Sequence, residues 1–157
     1  MNSAHAKWFP VYQPQAINAA GAVTTVEIDT LGYNYLELAL MLGATDAALT
    51  TCKLSESDTT GVSTGGTDIT GLIFGTSTNS AGSTSSVPSA TDDNKVFLFN
   101  VDLKGRKRFL YLQIVVGAGT NGAYLAALAR LSRASTAPST AAGYNASQML
   151  QAPAYGT

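Results

Sequence analysis

Reactive side chains are scarce in this chain of 157 residues. Cys52 is the only cysteine, so no intrachain disulfide can form and the fold does without a covalent staple. His5 is the only histidine, and it stands near the N-terminus. That sets aside triad catalysis and a histidine-clustered metal site. Charged residues make up 12% of the sequence and the formal net charge is -1. Neither nucleic acid nor an anionic membrane is implied as a partner. The longest apolar run, Leu38 to Leu42, is far short of the roughly 20 residues that cross a bilayer as a helix. The opening stretch, Met1 to Pro10, lacks the apolar centre expected of a signal peptide. No calcium-loop pattern occurs, and Gly117-x-Gly119 lacks the third glycine and the lysine of a phosphate-binding loop. Carboxylates on strand-like runs are few: Glu27, Asp29, Glu37 and Glu56. They read as solvated strand-face residues rather than a glycosidase-like pair. The expectation is a protein that is not an enzyme and carries no cofactor or metal.

What is present is alternation. The chain is organised around Lys95 to Arg133. Phe97, Phe99, Val101 and Leu103 alternate with Leu98, Asn100 and Asp102, and Leu110, Leu112, Ile114 and Val116 alternate with Phe109, Tyr111, Gln113 and Val115. A period of two over β-branched and aromatic residues predicts strands. The second run is apolar on both faces, which predicts a central strand covered on both sides. Lys104-Gly105-Arg106-Lys107 between the runs suits a hairpin connection.

Earlier runs follow the same period. Val26 and Ile28 face inward, with Glu27 and Asp29 outward. Leu36, Leu38, Leu40 and Leu42 form one face of the run from Tyr33, and Cys52 and Leu54 share the inner side of Thr50 to Glu56. Cys52 is expected to be a small buried apolar residue rather than a reactive thiol. Ala123 to Arg133 fits helix and strand periods alike; strand is preferred because it extends the meander. The whole predicts an all-β chain: a single antiparallel β-sandwich of seven or eight strands, jelly-roll in type.

Three segments lack that period. Residues 1–20 read as an extended N-terminal arm, with Trp8, Phe9 and Tyr12 as aromatic anchors and Pro10 and Pro14 stiffening the backbone. The alternative is that Trp8 and Phe9 close one end of their own core. Within the sandwich domain, 21–133, residues 57–94 form a long excursion rich in Ser, Thr and Gly, pinned at Leu72 to Phe74 as an edge strand. Residues 134–157 read as an extended C-terminal tail carrying Tyr144 and Tyr155. One local charge cluster stands out: Lys104, Arg106, Lys107 and Arg108. It reads either as a solvated turn or as a docking contact for an acidic partner surface. These nine residues, Trp8, Phe9, Tyr12, the four bases, Tyr144 and Tyr155, are the candidate interface residues.

The run Phe99 to Leu110, followed by Gly122-Ala123-Tyr124-Leu125, resembles small tailed-bacteriophage virion proteins of the head-decoration, or capsid cement, type. Asp29-Thr30-Leu31-Gly32-Tyr33 and Leu54-Ser55-Glu56-Ser57-Asp58 resemble the same set. The resemblance covers about the middle two-thirds of the chain and holds no enzymatic motif. It implies a β-sandwich bound to the major capsid protein on the outer surface of the virion, often as a homotrimer, after assembly in the host cytoplasm. Low charge and long terminal segments agree with life inside an assembly. Other readings are a tail, neck or head-fibre component, or a carbohydrate-binding sandwich in which Tyr33, Tyr35 and Tyr111 stack on sugar rings.

Overall fold

A computed structural model describes residues 6–18, 20 and 23–133, with the backbone alone described at 23 and 24. The described residues contain eight strands and no helix: β1 (Lys7–Ile17), β2 (Val23–Asp29), β3 (Tyr35–Thr45), β4 (Leu49–Ser57), β5 (Thr67–Ile73), β6 (Val96–Asp102), β7 (Phe109–Val116) and β8 (Ala123–Ser132). They form two four-stranded sheets, β1-β8-β3-β6 and β2-β7-β4-β5. Every paired neighbour is antiparallel. The protein is a β-sandwich.

The pairing is nested. β1 lies beside β8, β2 beside β7, β3 beside β6 and β4 beside β5. The chain is thus doubled back on itself as one antiparallel ribbon, and successive rungs of the ribbon fall in alternate sheets. The alternation of residues explains why the sheets close on each other. One parity of β3 supplies Leu36, Leu38, Leu40 and Leu42, and one parity of β7 supplies Leu110, Leu112, Ile114 and Val116. Ile28, Cys52, Leu54, Phe99, Val101, Leu125 and Leu131 complete the layer between them. Each such leucine or isoleucine contributes about 1.5–3 kcal/mol by leaving water.

The expected hairpin at Lys104 to Lys107 is not one. β6 belongs to the first sheet and β7 to the second. Asp102 pairs with Tyr35, and Phe109 pairs with Asp29. Residues 103–108 arch over the end of the sandwich instead. Leu103 is buried under the arch, its N–H donates to the Asn34 carbonyl at 3.0 Å, and Thr30 donates through N and Oγ1 to the Arg108 carbonyl at 3.1 and 2.6 Å. Sheets about 10 Å apart need only a few residues to bridge them. Nor does β8 extend a meander from β7; it lies between β1 and β3 in the opposite sheet. It is nevertheless a strand, as its alternation indicates.

Within 57–94, β5 is the edge strand of the second sheet. Phe74, just after it, packs edge-on against Phe97 and Phe99 of β6, at ring-centre distances of 5.5 and 5.0 Å. That contact fastens the excursion to the opposite sheet. Residues 7–17, within the segment read as an arm, run as the edge strand β1 against β8.

Candidate functional site

The two outer faces of the sandwich differ in chemistry. On the second sheet, Tyr111 and Gln113 point away from the core, yet both are buried, Tyr111 to 1% exposure. The cover is the β4–β5 connection. Tyr111 Oη donates to Glu27 Oε2 at 2.6 Å and receives the Val62 N–H at 3.3 Å. Glu27 also accepts from Thr60 Oγ1 at 2.8 Å and the Gly61 N–H at 2.7 Å. Gln113 Nε2 donates to Ser55 Oγ at 2.7 Å and to the Thr64 carbonyl at 2.9 Å, while Ser55 Oγ donates to the Gly65 carbonyl. Gly65 sits at φ 78°, and a Cβ there would land on the Gln113 amide. The loop can lie this close only because that position has no side chain. The Tyr111 hydrogen bond, ahead of those from Gly61 and Thr60, holds the Glu27 carboxyl below its ordinary range, while desolvation pushes the Tyr111 phenol up. This is the covering of both faces of β7 expected from its sequence. It is a polar latch, with the hydroxyl, amide and carboxylate all engaged within the chain.

The basic cluster is largely neutralised from within. Arg108 binds Asp29 through two hydrogen bonds, at 2.9 and 2.7 Å. That pair lowers the Asp29 carboxyl and raises the guanidinium. Arg106 lies 3.4 Å from Glu56, and Lys107 Nζ lies 3.7 Å from Asp58. Lys104 is exposed. Loop carboxylates have similar duties. Asp46 accepts the N–H groups of Thr120 and Asn121 at 2.9 and 2.8 Å, and Asp92 binds Ser89 and Lys95. Lys95 and the Ser89 N–H hold the Asp92 carboxyl down to about 2.

The anchor aromatics divide between the two faces of β1, and a register shift between Pro10 and Tyr12 turns Tyr12 to the same side as Phe9. Phe9 and Tyr12 pack against the core, so they close their own sandwich. Trp8 faces outward at 45% exposure, with the Arg130 guanidinium 5.9 Å from its ring centre. Tyr144 and Tyr155 lie outside the described residues. Of the tyrosines read as sugar platforms, Tyr111 is covered by the latch and Tyr33 packs against the core, not outward as expected. Tyr35 is capped by Arg133, 5.0 Å from its ring centre. Cys52 is buried, and burial pushes its thiol up to about 12.

The first sheet has a bare outer face. Its register sets Trp8, Arg130, Glu37 and Asn100 in one row across the four strands, and Pro10, Leu128, Ala39 and Leu98 in the next. Ala126, Met41 and Val96 form a third. Tyr124 lies beyond them, its Cβ against Gly43. Of the seven exposed large hydrophobic residues in the described chain, six are here: Trp8, Met41, Val96, Leu98, Tyr124 and Leu128. Val96 and Leu98 are 56% and 59% exposed. Arg130 and Glu37 are an ion pair with each other. Sequence reasoning singled out Trp8 but missed Met41, Val96, Leu98, Tyr124 and Leu128 as parts of one face. The available signal was that the outward parity of β6 and β8 carries Val96, Leu98, Tyr124 and Leu128 where polar residues would be expected.

Beside β6, a cleft of about 470 Å³ runs between that strand and the loop after β5, lined among others by Leu72, Phe74, Asn79, Phe97 and Asn100. Its lining holds no ionisable side chain. The Asn79 side-chain oxygen Oδ1 already accepts the N–H groups of Ala81 and Ser83. Among the described residues, no group of three or more His, Cys, Asp or Glu side chains is placed to hold a metal ion. No protein-family model matches the chain, and no curated protein matches it in sequence.

Proposed function

We propose that this chain is a non-enzymatic structural protein of a bacteriophage virion, one that decorates and stabilises the outside of the capsid as a homo-oligomer bound to the major capsid protein. The observation that carries the reading is the contrast between the two outer faces. The second sheet is sealed by its own loop and by ion pairs. The first presents six large apolar side chains on an open, nearly uncharged sheet. A contiguous apolar face of this kind marks a surface that docks. It is an open sheet face rather than an enclosed pocket, which fits an assembly role better than turnover.

Two further points support the reading. The nested pairing of β1 with β8, β2 with β7, β3 with β6 and β4 with β5 supports reading the sandwich as a jelly roll, an architecture frequent in capsid and lectin domains. That support is architectural, and fold alone does not set function. The second point is the resemblance of Phe99 to Leu110 and its companions to head-decoration proteins.

Purified particles provide the test. A density map should place this chain on the outer capsid shell in fixed ratio to capsid subunits. Particles stripped of it should rupture at lower temperature and recover when it is added back. Its absence from particles, or its location only at the neck, tail or a fibre, would overturn the proposal. Binding of the isolated protein to a glycan array, without particle binding, would favour the carbohydrate reading.

A further inference from the structure

We propose that the occupant of the bare outer face of the first sheet is a second copy of the same face, packed sheet on sheet. The inference rests on the assembly reading above and names the partner of that surface. The first argument is charge. The only oppositely charged groups in the central rows, Arg130 and Glu37, neutralise each other. The rows Pro10-Leu128-Ala39-Leu98 and Ala126-Met41-Val96 hold no charge at all. A partner must therefore be as uncharged and apolar as this face. Across the described surface such a face occurs once, because the other sheet is latched and ion-paired. A second copy supplies it by symmetry, in the self-complementary manner of a twofold interface. A net charge of -1 leaves little repulsion between copies.

The second argument is area. Four strands about 4.8 Å apart, over about six residues at about 3.3 Å each, give a plan area of roughly 400 Å². The largest patch on a typical monomer is about 300–600 Å² and often functional, and this face falls in that range. Two copies together remove at least roughly 800 Å², the range of weak and concentration-dependent contacts rather than obligate ones. Two flat faces stack about 10 Å apart, as sheets do inside one sandwich. The pair formed this way is a dimer. The trimer implied by resemblance needs a different, head-to-tail surface.

The experiment uses the full chain in solution, without particles, so it can fail independently of the capsid reading. Sedimentation over a concentration series up to about 100 µM should show monomer converting to dimer, as expected for a contact of this size. Leu128 stands in the uncharged middle row on the interior strand β8, so a twofold axis through that row brings the two Leu128 side chains together, and Leu128→Glu and Leu128→Lys each then place like charges against each other. Each alone should weaken association at least about tenfold. An equimolar mixture should restore it, because the charges then oppose. Leu98→Glu provides a second position with the same expected loss. Leu128 and Leu98 are exposed, so melting temperatures should stay near wild type and report that the variants are folded. A monomer at every concentration, a trimer, or variants that associate like wild type would overturn the proposal. So would a mixture of the two Leu128 variants that fails to recover.

Discussion

Glu27 and Tyr111 are direct register partners across β2 and β7, and the Tyr111 hydroxyl donates to the Glu27 carboxylate at 2.6 Å. The pair joins two strands and, through Thr60, Gly61 and Val62, holds the β4–β5 loop over them. Replacing Tyr111 by Phe keeps the ring and removes the hydroxyl. A hydrogen bond to a charged group is worth about 1.5–3 kcal/mol, and the partial exposure of Glu27 puts the expected loss near the lower figure. Chemical denaturation should show it, together with faster proteolytic cutting within residues 58–66. Unchanged stability and unchanged cutting would mean the loop is held by something other than this latch.

Acid should loosen the fold. Glu27, Asp29 and Asp92 all have carboxyl groups held below their ordinary values by hydrogen bonds and neighbouring cations. A group whose folded value is depressed adds stability above its unfolded value and loses it as pH falls through the folded one. Melting temperature should be flat near neutrality and drop as pH falls from about 5 toward 2. The drop should be smaller in Tyr111→Phe, where Glu27 loses its main cause of depression. A melting temperature that rises on acidification would contradict this account of the carboxylates.

The thiol of Cys52 should be silent in the folded protein. Burial pushes its value up to about 12, so the thiolate is scarce near pH 8, and the side chain is out of reach of solvent as well. Alkylation should proceed only through opening of the sandwich, so its rate should climb steeply with denaturant. Rapid labelling of the native protein would show that the core is open at β4.

Trp8 and Phe9 should respond oppositely to truncation. Phe9→Ala removes a ring packed on the core and should cost roughly 2–4 kcal/mol of stability, short of a fully buried phenylalanine. Trp8→Ala removes an outward ring and should cost under about 1 kcal/mol while weakening association of the first-sheet face. If Trp8→Ala melts as early as Phe9→Ala, the tryptophan belongs to the core and not to the face.

The strands were legible because alternation is a local property. Phe97 to Leu103 and Phe109 to Val116 announce themselves residue by residue, and the doubly apolar β7 correctly signalled cover on both sides. Which sheet each strand joins is not local. Lys104 to Lys107 has the composition of a hairpin turn, and nothing within it records that Asp102 pairs with Tyr35 while Phe109 pairs with Asp29. The same holds for the surfaces. Arg108 looked available until the fold set Asp29 beside it, 79 positions away in sequence. Leu98, Leu128 and Met41 become one patch only when β8 and β6 flank β3. Trp8 and Phe9, adjacent in sequence, were read together as anchors, whereas a strand sends neighbours to opposite faces.

The nesting of the strand pairs also orders the making of the fold. Lys7 meets Leu131, almost the full described length apart. Closing that contact from an open chain carries the largest loop entropy of any pairing here. Closing it after β4 has met β5, β3 has met β6 and β2 has met β7 carries far less, because each inner rung draws the next two strands together. Loop entropy therefore favours closing like a zip fastener, from the turn at 58–66 outward, with β1 and β8 as the last pair of teeth. By the same reasoning the seam of the molecule is where β1 and β8, the first and last described strands, lie side by side.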